Sequence, residues 1–286
     1  MHLAFVTDRE HADFAQDDRL LVVYLIDRGL LVSAAVWDDP GVNWEKFDAI
    51  IFRSVWDYFI YRDRFDEWLR QMASLTVPIF NPLSIVHWNK DKNYLSRFKS
   101  LGIPIPDYEI LKFKSRQNLF ELLDRHAWPK AVIKPAVSGG AYKTWVTSKT
   151  LAAAQQPEFE SLLEEQDVIV QKFAGEIIEN GEWSLIFFDK KFSHAVCKQA
   201  QEGEFRVQAQ FGGHHYPVYP AKAVLDQVES ILSFITEPLL YARVDGYLNH
   251  QSIFYLMELE LIEPVLFLDS HPEACSNFYK ALKNQF

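Results

Sequence analysis

The chain has 286 residues, 49% of them hydrophobic and 24% charged, which is globular composition with enough apolar mass for one large or two ordinary domains. A net charge of −10 disfavours nonspecific attraction to nucleic acid or to an anionic membrane. The two cysteines, Cys197 and Cys275, form neither a disulfide framework nor a zinc motif, so a reducing cytoplasm is expected, and no apolar run is long enough for a membrane span.

The first ninety residues alternate strand and helix signals, as an open α/β unit does. Leu3 to Val6 reads as a strand. Leu20, Val23 and Tyr24 then recur at helical spacing until Gly29. Leu30 to Trp37 is strand-like again. Phe47 to Arg53 reads as a buried parallel strand whose end delivers Arg53 into a loop. Phe65, Trp68, Leu69 and Met72 mark the next helix, and Val77 to Pro82 a short strand ending in a turn.

From Asn89 to Leu101 the pattern predicts one lysine-bearing helix capped by Gly102, and the prolines at 104 and 106 suggest a boundary. A strand is expected at 108–111, a helix at 117–126, a strand at 131–134, a helix at 159–166 and a strand at 168–173. Residues 174–181 read as an irregular segment, and the stretch to Pro217 as strand-rich. Val224, Val228, Ile231 and Ile235 make a helix, two acidic strands follow, and a final helix lies around 276–282.

Those acidic strands, Tyr241 to Tyr247 and Tyr255 to Pro264, carry charge among apolar residues. In a strand, residues i and i+2 share a face, so Arg243 points with Asp245, and Glu258 with Glu260. Like charges that close repel unless a cation sits between them, which suits a hard divalent ion; a solvated edge strand is the plainer alternative. By strict alternation Glu263 falls on the opposite face, though a bend at Pro264 would turn it towards a substrate ammonium.

Lys134 ends an apolar strand and precedes Ser138-Gly-Gly-Ala141. Glycines let backbone N–H groups approach phosphate oxygens and lysine adds charge, although no Walker A motif is present and a hairpin turn reads equally well. The irregular segment after Gln171, Lys172, Phe173 and Ala174 exposes backbone groups of the kind an adenine edge needs. Lys198 and Arg206 fall on predicted strands near the acidic pair, either as phosphate-neutralising cations or as ordinary surface charges. Trp56, Asp57 and Tyr58 follow Arg53, where a carboxylate or amino acid could dock or where the aromatics simply pack an interface.

The order of these elements resembles the ATP-grasp superfamily over residues 85–270, preceded by its usual Rossmann-like α/β domain. Within it, Arg53-Ser-Val-Trp-Asp-Tyr58, Trp88-Asn-Lys-Asp-Lys92, Phe211-Gly-Gly213 and Glu258-Leu-Glu-Leu-Ile-Glu-Pro264 are similar to the glutathione synthetase branch, and in detail to ligases that close the ring of D-cycloserine. The resemblance implies an α/β (α+β) fold, with an N-terminal domain at 1–88 and an ATP-grasp domain at 89–286. The latter would comprise a nucleotide-clamping part (105–174) and a metal- and substrate-binding part (175–286 with helix 89–101).

It further implies that Lys92 and Lys134 hold ATP phosphates beneath the loop of Ser138, Gly139 and Gly140. Gln171, Lys172, Phe173 and Ala174 would line the adenine site, and Glu182 would take the ribose. Lys198, Arg206 and Arg243 would surround the γ-phosphate and the reacting carboxylate. Asp245, Glu258 and Glu260 would bind magnesium, two ions or manganese in their place. Glu260 stands where the family commonly has asparagine. Arg53, Trp56, Asp57, Tyr58 and Glu263 are the substrate candidates.

The implied activity is a carboxylate–amine ligase, or a ring-closing one, that forms an acylphosphate on an amino acid, short peptide or related metabolite. Small-molecule carboxylates and amines would be its partners, with neither nucleic acid nor membrane, and the chain would pair as a homodimer. A small-molecule kinase and a regulatory nucleotide-binding module are the alternatives. No protein nucleophile is required, so His214 and His215 stand as surface residues or substrate contacts.

Overall fold

The computed structural model describes residues 1–286. Strands β1 (His2–Thr7), β2 (Leu31–Val36), β3 (Ala49–Ser54) and β4 (Ile79–Phe80) form a parallel sheet in the order β2-β1-β3-β4. Both faces are covered, which is why β1 and β3 carry unbroken apolar runs rather than alternation. Leu3 and Phe5 face a core that includes Leu21, Leu25 and Phe278, while Ala4 and Val6 face Phe65, Trp68 and Met72.

Helix α1 (Gln16–Ile26) turns a different stripe inward from the expected one: Asp18, Leu21, Val22 and Leu25 are buried, whereas Leu20 and Val23 are exposed. The spacing i, i+3, i+4, i+7 starts from Asp18, which is drawn inward by Arg53. Helix α2 (Arg62–Met72) buries the anticipated Phe65, Trp68, Leu69 and Met72.

The single helix expected at 89–101 is two. Helix α3 (Leu83–Asn89) ends before Asp91, whose carboxylate accepts from Asn93 N, and a 3₁₀ turn at Lys92–Tyr94 leads into α4 (Leu95–Ser100). Gly102, with φ of +80°, ends α4 as expected. The proposed cut at residue 88 therefore falls inside α3.

The second sheet is antiparallel, in the order β5 (Tyr108–Leu111), β8 (Val168–Lys172), β6 (Lys130–Pro135), β7 (Trp145–Ser148). Helices α5 (Leu119–Arg125) and α6 (Ala152–Leu163) back it through Leu122, Leu123, Phe159 and Leu162. Helix α6 starts seven residues before the expected 159, because the alanines at 152–154 extend it despite Pro157.

A short helix, α7 (Gly175–Asn180), replaces the expected irregular segment. The third sheet follows, antiparallel in the order β11 (His214–Val218), β10 (Lys191–Gln199), β9 (Glu182–Phe188), β12 (Tyr241–Leu248), β13 (Phe254–Glu260). Helices α8 (Lys222–Ser233) and α9 (Ala274–Lys283) pack on it. Arg206 is on no strand; it lies in the loop between β10 and β11.

The N-terminal sheet is not a separate body. One of its faces shares a core with Ile186, Phe188, Tyr241, Leu266, Phe278 and Leu282. Asn81, 1% exposed, stitches the two parts: its amide donates to Tyr241 O (2.9 Å) and Leu261 O (2.8 Å), and its oxygen accepts from Leu240 N (2.7 Å). No helix is long and apolar enough to cross a membrane.

Candidate active site

A cleft of 1610 Å³ runs between the three sheets, larger than the roughly 300–1,000 Å³ of a single-ligand pocket. Every expected site residue except Arg53 lines it. Arg53 is a correction: it lies within β3 at 1% exposure, its Nε donates to Asp18 (2.8 Å) and its Nη2 to Pro264 O (3.0 Å). It is a strut between the two parts of the chain, not a group delivered to a loop.

One wall is the glycine loop. Lys134, at the end of β6, is buried, and that burial, with Lys92 nearby, lowers its pKa against the opposing pull of Glu258. Lys92 Nζ donates to Ser138 O and lies 3.0 Å from Glu258 Oε1. A Cβ at Gly139 would stand 2.9 Å from Phe59 Cε1, and Gly140 has φ of +55°, so the loop needs glycine at both places. Gln210, from the loop carrying Arg206, donates to Gly140 O (3.0 Å) and so roofs the cleft.

The adenine-side candidates sit at the end of β8. Gln171 is 1% exposed, yet neither its amide nitrogen nor its oxygen has a protein partner. An amide so buried costs free energy unless a ligand answers it. Lys172, Phe173 and Ala174 continue along the rim to Ile177 and Ile178 of α7.

The opposite wall is β12 and β13, where Arg243 pairs with Glu260 and Asp245 with Glu258 in the ladder. Arg243 Nε donates to Asp245 Oδ1 (3.0 Å), Nη2 to Asp245 Oδ2 (2.8 Å) and to Glu260, and Nη1 to Val265 O (3.0 Å). Lys198 Nζ donates to Glu182 Oε1 (2.6 Å) and lies 3.4 Å from Asp245, whose Oδ1 also accepts from Ser184 Oγ (2.6 Å). Burial works against ionising Asp245, but Arg243 and Lys198 prevail and hold its pKa at about 2. Burial, with Asp245 and Glu258 adding and Arg243 opposing, lifts Glu260 to about 7.

These carboxylates do not converge on a common point: no three His, Cys, Asp or Glu groups form a ligand cluster. Each is held by a cation instead. The donor set is nevertheless all oxygen, with Glu258 and Glu260 side by side on one face and 30% and 28% exposed to the cleft. That set fits a hard divalent cation, with Asp245 behind it and already fully hydrogen-bonded.

Glu263 corrects the alternation argument. Strand β13 stops at Glu260, and Glu263 turns into the same cleft, 3.9 Å from where a Cβ of Gly139 would be. Burial, together with Glu260 and Glu258 and against Lys92, pushes its pKa up to about 8. Trp56 Nε1 donates to Glu263 O (2.8 Å), Asp57 accepts from Trp37 Nε1 (2.8 Å), and Tyr58 is buried against Phe59 and Phe65. His214 and His215 are exposed residues of β11 at the cleft edge, His215 packing on Phe267.

Sequence reading overlooked Asp8 and His11, which line the cleft just past the carboxyl end of β1. The rule that parallel sheets present function at strand ends, applied above to Arg53, points equally to them.

A family model, the N-terminal domain of D-cycloserine synthetase DcsG, matches residues 3–81. The chain is 27% identical over 296 residues to the cycloserine biosynthesis protein DcsG of Streptomyces lavendulae, covering 98% of this chain and 97% of that protein. Its structure is similar to crystalline D-cycloserine synthetase DcsG, with a TM-score of 0.89, 24% identity and coverage of 100% and 99%. D-alanine–D-alanine ligase from Bacillus anthracis gives a TM-score of 0.71, 16% identity and coverage of 99% and 96%; that ligase is also known complexed with ATP. With the cleft described above, the likeness gives this chain the fold shared by D-cycloserine synthetase DcsG and D-alanine–D-alanine ligase.

Proposed function

We propose that the protein uses ATP and magnesium to activate a substrate carboxylate as an acylphosphate, and that an amine then displaces phosphate to give an amide-type bond. The substrate class is an amino acid, short peptide or related metabolite. The observation that carries this reading is the position of Lys92, whose ammonium joins the glycine loop at Ser138 to the acidic strand at Glu258. A triphosphate lying between loop and strand would meet cations on one side and metal-binding carboxylates on the other.

In this reading Lys92, Lys134 and the Ser138–Gly140 backbone hold the phosphates, and Gln171 hydrogen-bonds the adenine edge that its unpartnered amide awaits. Lys172, Phe173 and Ala174 complete that pocket. Glu182 takes the ribose hydroxyls, exchanging part of its hold on Lys198. Arg243 and Lys198 neutralise the reacting carboxylate and the developing oxyanion, and Arg206, on the loop above, reaches the γ-phosphate on closure.

Glu258 and Glu260, with Asp245, would hold magnesium, which would supply positive charge against that developing on the transferred phosphoryl group. Charge balance supports two ions. Around the acidic strands the cleft sets Glu182, Asp245, Glu258, Glu260 and Glu263 near Lys92, Lys134, Lys198 and Arg243, and a nucleoside triphosphate adds about four negative charges. Trp56, Asp57 and Glu263 form the substrate end, with Glu263 as the receptor for an ammonium group. The N-terminal unit ends, and the ATP-grasp unit begins, near residues 82–90.

The test is an ADP-release screen across amino acids and dipeptides, singly and in pairs, with mass analysis of products. Coupling that needs both a carboxylate and an amine supports the reading. ADP formed with a stable phosphate ester would establish a kinase instead, and tight Mg–ATP binding without turnover a regulatory module.

A further inference from the structure

We propose that Asp8 and His11 form a catalytic dyad in which His11 is the general base for the attacking amine. The inference rests on the ligase reading above and adds the group that manages its proton.

Asp8 is fixed from several directions. Its backbone N–H donates to Ser54 O (2.8 Å), tying the end of β1 to β3. Its carboxylate is buried at 4% exposure; Oδ1 accepts from His11 N (2.9 Å) and lies 2.7 Å from His11 Nδ1, while Oδ2 accepts from Trp56 N (3.2 Å). An ionised carboxylate only accepts, so Nδ1 carries the proton and the lone pair of the neutral imidazole is on Nε2. Nε2 has no protein partner, and the residue lines the cleft.

The ring is held as well as polarised. It packs edge-on against Trp56 with centroids 4.6 Å apart, and Trp56 Nε1 is bonded to Glu263 O. His11 is therefore one indole away from Glu263, whose carboxyl neighbours the glycine loop at Gly139. A turn that only closed the end of β1 would need Asp8 and the His11 N–H. It would not need an imidazole clamped by an aspartate and a tryptophan with its second nitrogen left open to the cleft.

The reaction calls for such a group. An amino-acid amine is an ammonium at neutral pH and cannot attack. The ammonium gives one proton to His11 Nε2, and the freed pair forms the C–N bond to the acyl carbon. The carbon–oxygen bond to phosphate breaks, phosphate leaves with that pair, and the second N–H proton goes to the leaving phosphate. Of the other carboxylates lining the cleft here, Glu182, Asp245, Glu258 and Glu260 are held by Lys92, Lys198 or Arg243 and Glu263 is the receptor assigned to the substrate ammonium, while His214 and His215 lie against Tyr216 and Phe267.

The test separates nucleophiles by their need for a base. With ATP, magnesium and the amino acid that best stimulates ADP release, two nucleophiles are compared: the amino acid that couples fastest in the screen, and hydroxylamine, which is already neutral at pH 7. His11→Gln is expected to slow amine coupling by about a hundredfold or more while hydroxamate formation stays within about threefold of wild type. Asp8→Asn, which reverses the preferred tautomer, is expected to show the same split at smaller amplitude. Equal loss with both nucleophiles, or loss with neither, would overturn the dyad, and the Asp8→Asn arm decides the matter if His11→Gln does not fold. Absence of carboxylate-dependent ADP release in the wild type would instead overturn the ligase reading, and the dyad with it.

Discussion

Replacing Arg53 with methionine tests whether this arginine belongs to the substrate or to the scaffold. Its guanidinium and the Asp18 carboxylate are both about 1% exposed and 2.8 Å apart, and it also donates to Pro264 O. Removing one partner of such a pair strands a buried charge, which costs about 3–5 kcal/mol. Burial already raises the Asp18 pKa in spite of Arg53, so in Arg53→Met the carboxyl would escape part of the penalty by protonating, and the loss would grow as pH rises. At roughly 2 °C per kcal/mol for a chain of this size, the melting temperature should fall by about 6–10 °C. Asp18→Asn combined with Arg53→Met should recover most of that fall, because no charge remains to be stranded. Urea and thermal unfolding of the wild type and the two variants, with KM measured well below their transitions, decide the point. An Arg53→Met protein of unchanged stability and sharply raised substrate KM would refute the strut and return Arg53 to the substrate.

Glu258→Gln should lower turnover more than a hundredfold, since it removes a metal-bridging charge and the partner of Lys92; near-normal turnover over a magnesium titration would sink the metal assignment. Glu263 gives a pH signature. Its folded pKa of about 8 stands above the ordinary glutamate value of 4.5, so between those values the folded chain holds a proton that the unfolded chain has lost. Its contribution is complete below about pH 4.5 and disappears as pH rises through 8. Without nucleotide or magnesium, Glu263→Gln should therefore gain urea resistance relative to wild type between pH 5.5 and 8; a difference between the two that stayed constant with pH would contradict the buried carboxyl.

Periodicity and strand-end logic made most of the architecture readable. The runs at Leu3–Val6, Ala131–Lys134 and Val168–Lys172 are buried strands, and the i, i+2 argument correctly paired Arg243 with Asp245 and Glu258 with Glu260. The failures have physical causes. Asp18, a charge, sets the buried face of α1, and hydrophobic spacing cannot register an ion pair formed with a residue 35 positions away. The break at Asp91 depends on one side-chain cap inside an otherwise helical pattern. For Glu263 strict alternation pointed away from the cleft, and only the alternative of a bend before Pro264 placed it on the substrate side, because the strand ends at Glu260. Asp8 and His11 were legible as a strand end followed by polar residues, but nothing local showed that Trp56 would fold back to complete their setting.

The core shared between the N-terminal sheet and helix α9 bears on how the chain is made. Leu3, Phe5 and Leu21 pack with Phe278 and Leu282, so the first sheet leaves the ribosome with one apolar face bare and waits for the last residues to cover it. At about 5–20 residues per second, that interval is on the order of 10–40 seconds. During it the nascent protein presents a naked sheet surface, and its chance of maturing depends on what shields that surface in the meantime.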